Sequence, residues 1–179
     1  FTPDTNTLLG EVPEIKNFFV SCGLNSIGIG SGGGVGKVTA EWLINGHINE
    51  DIFCYDIKRF QKFHSELSFI KKRITESLGD LYGMHWPFKQ HKTSRNIKTL
   101  PHHENLKSFG ACFGVSGGYE RPMWFALDGE KTEYEYSYNY QNWYPSAEYE
   151  TNNTIKNVGL FDLTPFSKFE IRSENAHKE

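Results

Sequence analysis

The 179-residue chain sets 19 Lys and Arg against 22 Asp and Glu, a net charge of −3, with 37% hydrophobic and 15% aromatic residues. That aromatic share excludes a disordered chain, and the slight acidity argues against a nucleic-acid or anionic-membrane partner, whose affinity rests on excess cations. No apolar run reaches the roughly 18 residues of a membrane span. Cys22, Cys54 and Cys112 form no CxxC pair, so neither a disulfide framework nor a zinc knuckle is indicated, and a cytosolic or mitochondrial-matrix compartment fits.

The sequence starts at Phe1 rather than Met, and its first residues read as the interior of a domain. A segment of a longer protein, with no signal or transit segment, is therefore expected. Residues 1–15 read as turns, and the apolar, β-branched stretch 17–23 as a buried strand. Residues 23–36 hold seven glycines in fourteen positions. This predicts a loop that a ligand can approach closely, because glycine tolerates positive φ and presents bare backbone. A helix follows over 34–44, with Val35, Val38 and Trp42 inward and Asn45-Gly46 as its stop.

Residues 51–57 read as a short strand or extended segment. A long helix is predicted over 64–82, because Leu67, Ile70, Ile74, Leu78 and Leu81 recur at spacings of three and four. The Lys71-Lys72-Arg73 triplet would lie mostly on its solvated side. A polar loop at 83–98 marks a domain boundary. A short helix over 101–109 has Thr99 as a possible cap and Gly110 as its stop. Residues 110–145 read as irregular, and 146–157 as helix. Residues 160–163 and 166–172 read as strands, the second half-exposed by its alternation.

The glycine-rich segment joins a strand to a helix, and amides at a helix start favour a negative ligand group. A triphosphate loop fails at Ser31, where glycine is needed, and at Val38, where Ser or Thr is needed. Gly28, Gly30 and Gly33 do match GxGxxG, with Glu50 and Asp51 about 20 residues on. Against a dinucleotide site, Gly28 lies five residues past Gly23 at the strand end, and no further βαβ unit follows. The third ligand is a flavin, whose reduced form carries negative charge that main-chain donors stabilise as an oxyanion hole does. The remaining alternative is that the glycines only let the helix pack tightly.

Phe1-Thr2-Pro3-Asp4, Gly10-Glu11 with Pro13, Cys22-Gly23-Leu24-Asn25-Ser26-Ile27-Gly28 and Gly32-Gly33-Gly34 with Gly36 resemble the C-terminal end of an FAD-dependent amine oxidoreductase domain. More specific are Ala40-Glu41-Trp42, Tyr55-Asp56-Ile57-Lys58-Arg59-Phe60, Arg95-Asn96, Gly118-Tyr119-Glu120-Arg121-Pro122-Met123-Trp124-Phe125 and Gly159-Leu160-Phe161-Asp162-Leu163. Together they resemble the mitochondrial sarcosine and dimethylglycine dehydrogenase family over nearly the whole chain. The Tyr55 to Phe60 run, Pro101 with His103-Glu104 and the tyrosine-rich stretch look closest to its sarcosine-oxidising branch.

The resemblance implies an α+β chain in three parts: 1–46 ending an FAD-binding α/β domain, 47–93 a small central domain, and 94–179 the start of an aminomethyltransferase-like folate-binding domain. It implies FAD and tetrahydrofolate as cofactors, and sarcosine or a related methylamine as substrate. An electron-transfer flavoprotein would be the partner, in the mitochondrial matrix or in a bacterial cytoplasm. Only Gly23, Leu24, Asn25, Ser26, Ile27 and Gly28 carry over as flavin-contacting backbone. No catalytic residue and no metal ligand is assigned. A non-catalytic relative, the regulatory subunit of pyruvate dehydrogenase phosphatase, shares the layout and looks similar at Phe1 to Asp4, Lys58-Arg59-Phe60 and Glu120-Arg121-Pro122.

The other chemistry-bearing residues read as structural. Adjacent His102 and His103 point to different helix faces and do not match a zinc-helix spacing. Cys22 reads as a buried small hydrophobe, Lys37 as solvated, and the five tyrosines from Tyr134 to Tyr144 as a packed surface loop. Glu120 and Arg121 could form a carboxylate clamp.

Overall fold

Gly10 shows how the first unit is held together. A Cβ at Gly10 would stand 2.6 Å from the Trp42 ring, so only glycine lets strand and helix meet there. The strand is β1 (Leu8–Glu11), which pairs antiparallel with β2 (Phe19–Cys22), Leu8 opposite Cys22 and Glu11 opposite Phe19. The helix is α1 (Gly28–Asn45), whose Trp42 also meets Phe19 edge to face at 6.0 Å. Gly46, at φ 74, closes it by donating its N–H to the Trp42 carbonyl.

The computed structural model describes residues 1–176; the last three residues of the predicted segment 94–179 lie outside the described residues. The chain divides into two compact units, Phe1–Ile97 with Tyr136–Tyr138, and Lys98–Glu135 with Asn139–Glu179. Helices and two small antiparallel sheets make it a mixed α+β protein. No helix among the described residues is long and apolar enough to cross a membrane.

In the first unit the strand or extended segment expected over 51–57 is a turn instead, because the Tyr55 and Asp56 N–H groups fold back to donate to the Ile52 carbonyl at 2.7 and 3.1 Å; it meets β1 at one bridge only, with the Leu9 N–H donating to the Tyr55 carbonyl at 2.9 Å. A 3-10 turn, Ile57–Arg59, then aims the Arg59 fork at Asp4, with N···O distances of 2.7 and 3.0 Å. This bidentate ion pair spans 55 positions in sequence and ties the N-terminal turn to the centre of the unit.

Helix α2 (Leu67–Leu81) forms where the periodicity predicts, but it buries a different face. Phe69, Arg73 and Ser77 point inward, whereas Leu67 and Leu78 are exposed. Polar groups hold this face. Ser77 Oγ donates to the Pro3 carbonyl at 2.6 Å, and Arg73 donates to the carbonyls of Thr93 and Ser94 while lying over the Phe69 ring. Of the basic triplet, Lys71 and Lys72 are solvated and Arg73 is not.

Acid should loosen this unit. Burial holds His64 and His91 below the ordinary 6.5. Burial would raise Glu76, but hydrogen bonds from Lys92 and Thr93 hold it below 4.5. Each group therefore binds fewer protons folded than unfolded, so stability rises with pH. Urea unfolding at about pH 7.5 and about pH 5 is expected to give a lower midpoint in acid. A midpoint that rises on acidification would contradict neutral, half-buried imidazoles.

The second unit is built on a hairpin within 110–145, a stretch whose composition predicts irregular chain. β3 (Ala111–Ser116) and β4 (Tyr119–Phe125) pair antiparallel through Gly117 and Gly118, at φ 58 and 80, the left-handed pair that a two-residue hairpin turn requires. The register shifts between Cys112 and Phe113, where Pro122 falls; a residue without an N–H is tolerated at such a bulge. Helix α3 (His103–Ser108) precedes the hairpin, and Gly110 at φ 84 ends it as predicted. Thr99 does not cap α3: it bridges to Glu120 instead. Helix α4 (Tyr144–Lys156) carries Pro145 in its first turn and anchors to β4 through Glu150, whose carboxylate accepts the Phe125 N–H at 2.7 Å. The strands predicted over 160–163 and 166–172 are coil, because strand geometry needs a paired edge and no described strand offers one there.

Candidate functional site

The glycine-rich segment is not one loop. Only Gly23 to Ile27 form a turn; from Gly28 onward the chain is α1. The three glycines of the GxGxxG match therefore lie inside a helix. Both sheets among the described residues are two-stranded and antiparallel, so the parallel βαβ unit that the dinucleotide reading needs is not formed around these glycines. β2, which feeds the turn, is half-exposed rather than buried, because β1 covers one edge alone.

The turn is locked from beneath by Asn25, which is 6% exposed. Gly23, Asn25 and Ser26 take φ values of 67, 46 and 69. The Asn25 carboxamide oxygen accepts from the Thr2 N–H at 2.9 Å and the Thr2 hydroxyl at 3.3 Å. Its Nδ2 donates to the Thr5 and Gly23 carbonyls at 2.8 and 2.7 Å. The side chain of Asn25 is thus committed to the protein interior, and this position can offer a ligand only its backbone. Ser26 and Ile27 lie on the outside, Leu24 and Gly28 half-buried.

Beyond the turn, α1 begins without help. Ile27 occupies the N-cap position, no side chain caps the helix, and its first turn has no acidic residue. The amides of that turn have no intrahelical acceptor and carry the positive end of the helix dipole. A Cβ on Gly30, Gly32, Gly33, Gly34 or Gly36 would meet nothing within 4 Å. Each helical glycine costs about 0.5–1 kcal/mol relative to alanine, and no packing among the described residues accounts for that cost. The turn and the N-terminal half of α1 form an open, glycine-surfaced, electropositive edge suited to an anionic or electron-rich planar group.

The remaining residues singled out in the sequence sit as follows. Cys22 is exposed, contrary to expectation, since β2 has no neighbour on its outer side. Lys37 pairs with Glu41 at 3.0 Å on the surface of α1. His103 is buried and packs against Phe113 with the rings tilted and their centroids 4.1 Å apart, while His102 is exposed at the α3 N-cap. The Arg121 guanidinium lies over the Phe166 ring, and Glu120 is buried in β4. Tyr136 accepts the Gln90 N–H, and Tyr138 packs on Trp86.

Two family models match the chain: the FAD dependent oxidoreductase central domain over residues 45–99 and the GCVT N-terminal domain over residues 102–179. The chain is 42% identical over 176 residues to a 4-methylaminobutanoate oxidase (formaldehyde-forming) of Paenarthrobacter nicotinovorans, covering 98% of this chain and 21% of that protein. It is 34% identical over 169 residues to the mitochondrial sarcosine dehydrogenase of Mus musculus, covering 92% of this chain and 18% of that protein. It is 33% identical to the mouse mitochondrial pyruvate dehydrogenase phosphatase regulatory subunit, covering 97% of this chain and 20% of that protein. The chain spans about a fifth of the length of the curated relatives it matches. With a central-domain match followed by a GCVT-domain match, and relatives that include both enzymes, the chain belongs to the sarcosine and dimethylglycine dehydrogenase family.

Proposed function

We propose that the chain is part of a flavin-dependent N-demethylating oxidoreductase, in which Gly23 to Gly28 and the first turn of α1 face the electron-rich edge of FAD. In this reading residues 1–46 close the flavin domain, 47–93 form the central domain and 94–179 begin a folate-binding domain. The observation that carries it is the uncapped start of α1 beside the Asn25-locked turn, with no carboxylate to compete for the same amides. Bound FAD would supply the oxidation of an N-methyl group, whose one-carbon unit passes to tetrahydrofolate or leaves as formaldehyde. The residues of this chain contribute binding and polarity: the backbone donors stabilise negative charge on the flavin, and the Asn25 network fixes where those donors point.

A small N-methylated amino acid is the proposed substrate, sarcosine first, with dimethylglycine and 4-methylaminobutanoate as the close alternatives that the relatives raise. An electron-transfer flavoprotein is the proposed electron acceptor. The matrix is the proposed compartment, or the cytoplasm if the source is bacterial. The test is anaerobic mixing of the full-length protein with each amine. The flavin absorbance should bleach fastest with sarcosine, and faster bleaching with another amine would reassign the substrate. A full-length protein without bound flavin, unreactive to all three, would instead support the non-catalytic regulatory reading that the 33% identity to the phosphatase regulatory subunit keeps open.

A further inference from the structure

We infer that Glu76, Asp80 and His91 form a binding site for one divalent transition-metal ion, of which zinc is the reference case. The site lies within the first unit and is separate from the edge described above.

Glu76 and Asp80 stand one helical turn apart on α2, and His91 faces them from the following loop. One ligand atom from each lies within 4.8 Å of the other two. His91 Nδ1 is 3.6 Å from Asp80 Oδ2 and 3.9 Å from Glu76 Oε1. These separations exceed a hydrogen bond. They approach the roughly 3.4 Å between two ligands of a tetrahedral ion with bonds of about 2.1 Å. Nδ1 is shielded from solvent and has no hydrogen-bond partner; a buried lone pair left so is costly unless something else satisfies it.

The supporting shell is in place. The Glu76 carboxylate accepts the Lys92 and Thr93 N–H groups and the Thr93 hydroxyl, which fixes its orientation and leaves Oε1 a lone pair toward His91. A cavity of about 170 Å³, lined by Asp4, Asp80, His85, Lys89 and His91 among others, opens beside the cluster. It has room for ion-bound water, at about 30 Å³ each. Two cations oppose a metal here. The Arg73 guanidinium, 3.9 Å from Glu76, is engaged by the Thr93 and Ser94 carbonyls. The half-buried Lys89 ammonium holds Asp80 Oδ1 and leaves Oδ2 available. An N/O/O donor set of this kind favours zinc over magnesium or calcium, which prefer oxygen alone.

The test is calorimetric titration of the tag-free full chain with ZnCl2, MgCl2 and CaCl2. The expected result is one equivalent of zinc bound, with magnesium and calcium at least about tenfold weaker. His91→Gln should weaken that equivalent at least about tenfold, and Lys89→Met, which removes the competing ammonium, should tighten it. The lysine variant keeps all three ligands, so it tests the site even if the histidine variant does not fold. No stoichiometric zinc uptake, uptake unchanged in His91→Gln, or uptake weakened in Lys89→Met would each overturn the assignment.

Discussion

Replacing Asn25 with alanine is expected to destabilise the first unit by about 3–4 kcal/mol. The residue is buried and makes bonds to Thr2 that are shielded from water and bonds to Thr5 and Gly23 that are partly shielded. A net hydrogen bond contributes about 1 kcal/mol, and a buried partner left unsatisfied costs more. Alanine must also hold a φ of 46, which costs a further 1–2 kcal/mol or so in the left-handed region. Asn25→Gly separates the two effects. It removes the same bonds but not the backbone freedom, and should lose about 1–2 kcal/mol less. Asn25→Asp keeps the acceptor for Thr2 but sets a carboxylate against the Thr5 and Gly23 carbonyls, and should be no better than alanine. Urea unfolding followed by tryptophan fluorescence, to which Trp42 and Trp86 of the first unit contribute, checks the series. Near-equal stability of wild type and Asn25→Ala would mean that the turn is not held by this side chain.

The same network explains what the sequence could and could not reveal. Gly23 and the glycines after it mark the segment as special in composition. Where the turn ends and the helix begins depends on Asn25 reaching back to Thr2, 23 residues away, which no local pattern encodes. Glycine's low helix propensity favours a longer loop in any reading of the sequence, yet the structure continues α1 back to Gly28. Helix α2 was legible in its period but not in its face. Spacing finds apolar residues, whereas Arg73 and Ser77 turn inward because distant carbonyls at Thr93, Ser94 and Pro3 receive them.

The β3–β4 hairpin was locally written in Gly117-Gly118 between β-branched and aromatic residues, and the glycine and tyrosine richness around it obscured that signal. The segments at 160–163 and 166–172 have strand composition without a strand partner, and composition alone cannot make a ladder. The family resemblance was legible because its short motifs, Tyr55 to Phe60 among them, are local runs that follow one another along nearly the whole chain. The Glu76, Asp80 and His91 cluster was not, since its members come from a helix and a loop and meet only after folding.

The flavin-facing assignment rests on charge at the start of α1, and Ile29→Glu tests it. Ile29 is fully exposed, so no packing is lost, and a carboxylate in the first turn favours the helix itself. Wild-type and variant full-length protein should therefore unfold alike. A negative charge set beside the amides proposed to face the flavin should oppose reduction by about 1–2 kcal/mol, roughly 5–30-fold in rate. The decisive measurement is the anaerobic rate of flavin reduction by saturating amine in the two proteins, compared at equal flavin content. A slowing of that size with unchanged stability is the expected result. Equal rates would show that the flavin lies away from the start of α1 and would contradict the assignment.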